Sequence, residues 1–139
     1  MSEENKRLFV KVMEEVFNQG NLEVADELVA PNFFNHEAPD ARGPEGFKAT
    51  PRWLRAAFPD LHAELHQLVA EGDLVVGRLT LSGTHRGEFM GVPPTGRSFS
   101  VQHMHMYRVA DGKVAEHWAC RDDLGQLAQL GLTPPSAGA

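Results

Sequence analysis

The chain of 139 residues has the length of one globular domain, with 42% hydrophobic and 23% charged residues. Its net charge of -6 argues against a nucleic-acid or anionic-membrane partner, because it lacks the basic excess that such binding requires. No apolar run approaches the roughly 20 residues that span a bilayer. The polar first six residues do not read as a signal peptide, and the single Cys120 allows no internal disulfide. These features predict a cytoplasmic protein.

The first third of the chain is predicted to be helical. Apolar residues recur at helical spacing over residues 3–18, and a second stripe over residues 22–29 predicts another helix that ends at Pro31. A third helical region follows Gly43-Pro44. Because a proline inside a helix costs about 3 kcal/mol, we predict a break there, with Pro51 opening a new short helix.

From residue 61 the pattern changes to that of β-strands. Strands are predicted over residues 61–70, 74–84, 98–108 and 114–121, and Asp111-Gly112 is a favoured sequence for a tight hairpin turn. A short helix over residues 122–130 closes the domain, which we place at residues 1–132, and residues 133–139 are expected to form a flexible tail. Helices followed by antiparallel strands predict an α+β fold, with the helices on one face of a single sheet.

The last predicted strand and its exit carry the acidic candidates. Trp118, Cys120 and Asp122 alternate along the strand and therefore share one face. A carboxylate beside an indole and a thiol would be desolvated, which raises its pKa and makes it a proton carrier near neutral pH. The alternative is that Asp122 or Asp123 caps the closing helix, because aspartate is a favoured N-cap residue. We expect Cys120 to be a buried, unreactive thiol, because no activating group accompanies it.

Two segments that contain histidine are the other candidates. His103 and His105 are two residues apart on a predicted strand, so their rings point to the same side. Such a pair could bind a metal, serve as acid/base groups or be structural; no third ligand follows at short spacing, and no metal site is predicted. Asn35-His36-Glu37 follows the second helix, and it is either a polar turn or part of a pocket rim that orients a substrate oxygen.

Short motifs along nearly the whole chain occur in the order that is typical of one family. They are Gly43-Pro44-Glu45-Gly46, Phe58-Pro59-Asp60, Glu71-Gly72-Asp73, Gly83-Thr84-His85, Gly87-Glu88-Phe89, Gly91-Val92-Pro93-Pro94-Thr95-Gly96, Tyr107-Arg108, Asp111-Gly112-Lys113, Glu116-His117-Trp118 and Gln129-Leu130-Gly131. In this ordered set the chain resembles the SnoaL-like polyketide cyclases and predicted ester cyclases of the nuclear transport factor 2-like superfamily. The resemblance implies a cone-shaped α+β barrel, in which a curved antiparallel sheet wraps around N-terminal helices and encloses a deep pocket.

The resemblance also implies a reaction and its residues. In the cyclases, an aspartate on the last strand is the general acid/base of an intramolecular aldol closure, and the matching position is Asp122. The resemblance therefore favours Asp122 as the pocket carboxylate, Asp123 as the exposed or capping one, and His105 as the polar partner on the neighbouring strand. The residues expected to contact the substrate are Phe34, His36, Trp53, His103, Trp118 and Cys120. No cofactor is implied, and the partner is a small hydrophobic molecule that carries carbonyl groups.

Two other functions stay open at this point. The superfamily includes non-catalytic domains that bind a small apolar ligand or dimerise, and fold alone does not determine function. It also includes epoxide hydrolases and ketosteroid-type isomerases; an epoxide hydrolase would need two carboxylates around a water, whereas this chain offers histidines on the neighbouring strand. An open sheet face further predicts a homodimer or homotetramer.

Overall fold

The N-terminal helix is long and packs against a sheet. The computed structural model describes residues 2–132. Helix α1 (Ser2–Lys11) continues directly into a π-helical segment, Val12–Asn18, and Phe9, Val12 and Val16 of its apolar stripe are fully buried. The helix predicted over residues 3–18 is thus confirmed, whereas the predicted tail 133–139 lies outside the described residues. Within residues 2–132, no helix has the length and apolar character needed to cross a bilayer.

The second predicted helix is shorter than expected, because its C-terminal part is a strand. A 3-10 turn, Leu22–Val24, leads into α2 (Ala25–Leu28), and β1 (Val29–Asn35) begins at the next residue. Pro31 therefore lies inside β1 rather than at a helix end. It falls in a stretch where the strand pairing is irregular, which accommodates a residue without a backbone N–H.

Helix α3 (Gly43–Ala57) is one continuous helix, so the predicted break at Pro51 is wrong. Gly43 begins it at a φ of 65°, and a proline follows in the first turn, where its missing N–H is not needed. Pro51 removes the backbone donor that would bond to the carbonyl of Phe47. Pro51, Phe47 and Ala57 are all buried, and the apolar surface that they remove from water offsets the lost hydrogen bond.

Four longer strands complete the sheet: β2 (His62–Glu71), β3 (Leu74–Thr84), β4 (Ser98–Ala110) and β5 (Lys113–Arg121). The strand order is β1-β5-β4-β3-β2, and neighbours from β2 to β5 are antiparallel. The predicted α+β fold, with a curved sheet around N-terminal helices, is confirmed. One difference from the expected antiparallel sheet is the edge strand β1, which pairs with β5 in parallel.

A β-bulge in the β4–β5 hairpin decides which side chains face the helices. The turn at Asp111-Gly112 has positive φ angles of 52° and 72°, as that sequence favours. Next to the turn Val109 pairs with Val114, but the following pair joins Arg108 to Glu116, so β5 contains one extra residue. Beyond the bulge, each β5 side chain therefore points to the face opposite to the one that regular pairing would give it.

The core lies between the helices and the inner face of the sheet. Its largest fully buried side chains include Phe9, Phe33, Phe58, Leu79, Tyr107 and Leu130. Helix α4 (Asp123–Gln129) packs on β4 and closes this space at the end of the described chain.

Candidate functional site

A cavity of about 340 Å³ lies between the π-helical segment, α3 and the inner face of the sheet. Its apolar lining includes Met13, Phe17, Phe47, Leu54, Leu79, Leu81 and Leu127. Its polar lining comes from β1, β4, β5 and α4 and includes Asn35, His103, His105, Tyr107, His117, Arg121 and Asp123. The combination of a large apolar surface and a few convergent polar groups is typical of a site for an organic ligand.

Apolar side chains that are both exposed and part of the lining mark the opening of the cavity. Trp53 of α3 is 50% exposed and Met90 is 64% exposed. The ring of Phe89 lies 5.0 Å from that of Trp53, centroid to centroid. His85 holds the loop that carries Phe89, because its Nδ1 accepts a hydrogen bond from the backbone N–H of Thr95 at 3.2 Å. The structure therefore places Trp53 in the lining, where the resemblance leads us to expect it, and places the ring of Phe89 beside it.

Three imidazoles and one amide form a continuous row of hydrogen bonds along the polar lining. His103 Nδ1 lies 3.2 Å from His105 Nε2, and His105 Nδ1 lies 2.8 Å from His117 Nε2. His117 Nδ1 in turn lies 2.8 Å from Asn35 Oδ1. We call these four residues the imidazole row. It crosses three neighbouring strands, since β4 carries two of the rings, β5 the third and β1 the amide.

The outer end of the row, His103, is neutral at physiological pH. Burial lowers the pKa of His103 to about 4, and the nearby Arg121 lowers it as well. The carboxylates of Asp123 and Asp122 act in the opposite direction, because they favour an imidazolium. His103 is therefore a weak base whose protonated form has acidic neighbours.

The inner rings and the adjacent phenol are also uncharged. Burial lowers the pKa of His117 to about 4, and the charges of Arg121 and His36 add to this. Burial lowers the pKa of His105 well below its usual range, and the rings on either side contribute. Burial raises the pKa of Tyr107, so its hydroxyl stays protonated. Each imidazole then carries one N–H and one lone pair, and Tyr107 is available as a neutral donor.

The structure does not place Asp122 in the pocket as expected; both aspartates are exposed, and only Asp123 borders the cavity. Asp122 Oδ1 accepts a hydrogen bond from the backbone N–H of Gly125 at 2.8 Å, so the exposed Asp122 caps α4 and lies outside the cavity lining. Asp123 lines the cavity, and its Oδ2 lies 3.3 Å from Arg121 Nη2. The physical reason is the cap itself, because the first N–H groups of α4 need an acceptor and Asp122 directly precedes that helix.

Four residues of the expected lining lie outside it, on the outer side of the sheet: Phe34, His36, Trp118 and Cys120. His36 stacks on Trp118 with ring centroids 4.5 Å apart, and His36 Nε2 lies 2.8 Å from Glu116 Oε2. Cys120 is exposed rather than buried. The cause in β5 is the bulge, which turns His117 inward and Trp118 outward.

Sequence reasoning placed His103 and His105 on the correct face but left out Tyr107 and His117, and it named the Asn35 segment only as one of two alternatives, a polar turn or part of a pocket rim. Tyr107 was accessible to the same argument, since it is two residues beyond His105 on the same strand. His117 was not, because its direction depends on the bulge. Asn35 could not be assigned either, because its segment was expected to follow a helix rather than to form a parallel strand.

The row is arranged for hydrogen bonding and proton transfer, because its ring nitrogens are directed at one another. Across residues 2–132, the structure contains no group of three His, Cys, Asp or Glu side chains placed to hold a metal ion.

Comparison with known proteins identifies relatives of the chain. A model of the family described as SnoaL-like polyketide cyclase matches residues 7–130. The chain is 37% identical over 132 residues to the aklanonic acid methyl ester cyclase DnrD of Streptomyces peucetius, covering 91% of each protein. It is 36% identical over 124 residues to the nogalonic acid methyl ester cyclase of Streptomyces nogalater, covering 86% of this chain and 92% of that one.

Two solved structures have a similar fold. IdmH from Streptomyces antibioticus superposes with a TM-score of 0.79 and 40% identity, over 91% of this chain and 98% of IdmH. TsrD from Streptomyces laurentii superposes with a TM-score of 0.85 and 34% identity, over 95% of this chain and 98% of TsrD.

Proposed function

Because the chain belongs to the SnoaL-like polyketide cyclase family, we propose that it closes a ring within a hydrophobic polyketide ester, with the imidazole row as the acid/base group. The row is the observation that carries this proposal, since it brings neutral, buried imidazoles to a largely apolar cavity. The relatives include cyclases of aklanonic and nogalonic acid methyl esters, which supports a substrate of this class.

The proposed reaction is an aldol-type closure. A base removes a proton from a carbon that is activated by adjacent carbonyl groups. The carbanion then forms a C–C bond to a carbonyl carbon of the same molecule, and the electron pair of that C=O bond becomes an alkoxide. The alkoxide takes up a proton, so substrate and product are isomers. The protein must supply one group that removes a proton and returns one.

We assign the proton transfer to His103. Its Nδ1 is engaged by His105, and no group within residues 2–132 hydrogen-bonds its Nε2. The lowered pKa of His103 keeps the ring neutral, so one of its two nitrogens is an unprotonated base, and Asp123 stabilises the imidazolium that forms when the ring accepts a proton. Tyr107 lines the same cavity, and we assign to its neutral hydroxyl the donation of a hydrogen bond to the enolate or alkoxide oxygen, where negative charge develops.

The apolar lining supplies the other part of catalysis. Nucleophile and electrophile belong to one molecule, so a cavity that holds the substrate folded removes much of the entropic barrier. Exclusion of water by this lining also protects the carbanion from being quenched by solvent protons.

The proposal is tested by measuring turnover of the methyl esters of aklanonic and nogalonic acid by chromatography. The assay compares wild-type protein with the variants H103Q, H62Q and D122N. We expect H103Q to lose about 10²- to 10⁴-fold in kcat, the usual contribution of a positioned acid/base group. H62Q, which replaces an exposed histidine of β2, is the matched control and should keep wild-type activity. Wild-type activity in H103Q would contradict the assignment. Binding of either ester without turnover would favour a ligand-binding domain instead.

The same assay tests the assignment that the sequence favours, in which Asp122 is the acid/base group and His105 its partner. Since Asp122 caps α4, we expect D122N to lower stability and to leave the kcat of the folded protein within about twofold. A loss in D122N as large as that in H103Q would restore the role of Asp122.

A further inference from the structure

The hydrogen bonds of the imidazole row can run in only one direction, and Asn35 determines it. Asn35 Oδ1 accepts the backbone N–H of Glu37 at 2.9 Å, and an amide NH₂ group could not accept that bond. The atom that faces His117 Nδ1 at 2.8 Å is therefore the oxygen. Because a carbonyl oxygen only accepts, His117 must carry its proton on Nδ1.

The remaining protons follow from the neutrality of the rings. A neutral His117 with a proton on Nδ1 has a lone pair on Nε2, so His105 must donate to it from Nδ1. His105 Nε2 is then a lone pair, and His103 must donate to it from Nδ1. The last nitrogen, His103 Nε2, is left as an unprotonated base. The opposite direction would place two lone pairs face to face between His117 and Asn35, in a buried position where both are desolvated.

The geometry points to Asn35 as a positioning residue that holds His117, His105 and His103 in the Nδ1–H tautomer, so that the lone pair of His103 Nε2 is the base of the site. Asn35 acts through the row without contacting the reacting atoms. The inference rests on the proposed function for its catalytic consequence, but the tautomers themselves are a property of the protein without substrate.

The row also limits where a captured proton can go. When His103 Nε2 takes a proton, His103 Nδ1 can pass one to His105 Nε2, and His105 Nδ1 can pass one to His117 Nε2. The transfer ends there, because the amide of Asn35 is not a base. The proton thus stays within the row and is returned to the same substrate molecule. Arg121 disfavours the cation, Asp123 and Asp122 favour it at His103, and His36 acts against it at His117. Glu37 is a further carboxylate in the cavity lining, and its Oε2 accepts the backbone N–H of Ala119.

The direct test is nitrogen-15 NMR of the ligand-free protein with labelled histidine, recorded near neutral pH. Long-range proton–nitrogen correlations show which ring nitrogen of each histidine carries the proton. We expect His103, His105 and His117 all to show a protonated Nδ1 and an unprotonated Nε2. A protonated Nε2 on any of the three would overturn the inference, whatever the enzymatic activity.

Two variants of Asn35 extend the test. N35D keeps an oxygen acceptor, so the tautomers should remain and the added negative charge should shift the acidic limb of the pH–kcat profile upwards. N35L removes the acceptor; we expect His117 to shift towards the Nε2–H form and kcat to fall by about 10- to 100-fold at little change in KM, a loss typical of groups that orient a functional imidazole. N32D, an exposed change on the same strand, is the control and should alter neither the spectra nor the kinetics.

The outcomes separate the two proposals. The expected tautomers in a protein that turns over neither ester would leave the row intact and count against the proposed cyclase reaction. Unchanged tautomers in a folded N35L protein would overturn the role of Asn35, even if H103Q had lost activity as proposed.

Discussion

Lowering the pH from about 7 to about 5 should destabilise the protein, because the row is buried in neutral form. Burial lowers the pKa values of His103 and His117 to about 4, whereas each histidine in the unfolded chain has the ordinary value of 6.5. Between these values the unfolded chain binds protons that the folded protein excludes. The free energy of unfolding therefore falls as the pH is lowered through about 6.5, and the loss is complete near pH 4.

The size of the effect follows from the two pKa values. For one such ring, a change from about pH 7 to about pH 5 lowers the free energy of unfolding by about 2 kcal/mol. The two rings together contribute about 4 kcal/mol, a large part of the stability of an ordinary domain. Two carboxylates whose pKa values are lowered, Asp60 and Glu116, keep their stabilising contribution down to about pH 4.5 and lose it only below. The contribution of the histidines to the pH dependence of unfolding can therefore be measured above about pH 4.5, separately from that of these two carboxylates.

Urea unfolding followed by tryptophan fluorescence, at about pH 7, 6 and 5, measures the loss. H117Q should be less stable than wild type near pH 7 but should lose about 2 kcal/mol less on the change to about pH 5. H62Q should follow the wild-type curve, because the exposed ring of His62 meets solvent in both states. Parallel curves for wild type and H117Q would refute the claim that His117 is buried as a neutral ring.

Other predictions concern the cap, the close packing of the sheet and the cavity opening. D122A should lower the free energy of unfolding by about 1 kcal/mol, whereas D123A should change it by less than about 0.5 kcal/mol; equal losses in the two variants would contradict the assignment of Asp122 as the cap. D123A should also shift the acidic limb of the pH–kcat profile downwards, because the Asp123 carboxylate raises the pKa of His103. G77A should cost about 1–3 kcal/mol in urea unfolding, because a Cβ there would lie 2.3 Å from the ring of Phe9; an unchanged midpoint would contradict it. W53A should raise the KM for the methyl esters about tenfold with a smaller change in kcat, and an unchanged KM would show that the substrate does not reach the opening.

Local signals in the sequence were sufficient for most of the fold. The helical stripe of the first 18 residues, the Asp111-Gly112 turn and the long strands before and after it were all predicted, because each depends on neighbours a few residues away. Segments whose structure depends on distant partners were not. Strand β1 pairs with β5, more than 80 residues later, and the continuity of α3 through Pro51 depends on the burial of that proline in the tertiary structure.

The site was predicted less completely, for a similar reason. Alternation correctly placed His103 and His105 together on β4, because that strand is regular over those residues. Alternation failed on β5, because one extra residue near the turn exchanged its two faces and placed His117, rather than Trp118, in the cavity. The choice of Asp122 as the pocket carboxylate came from the resemblance, whereas the alternative drawn from the residues alone, an aspartate that caps the closing helix, is what Asp122 forms.

The parallel pairing of β1 with β5 has a consequence for the order of folding. The β4–β5 hairpin joins segments that are close in the sequence and can form early, and it already brings the three rings together. Asn35 is 82 residues from the ring that it contacts, so this contact forms only when a long loop closes. Until that contact forms, the three imidazoles lack the acceptor that sets the direction of the hydrogen bonds among them.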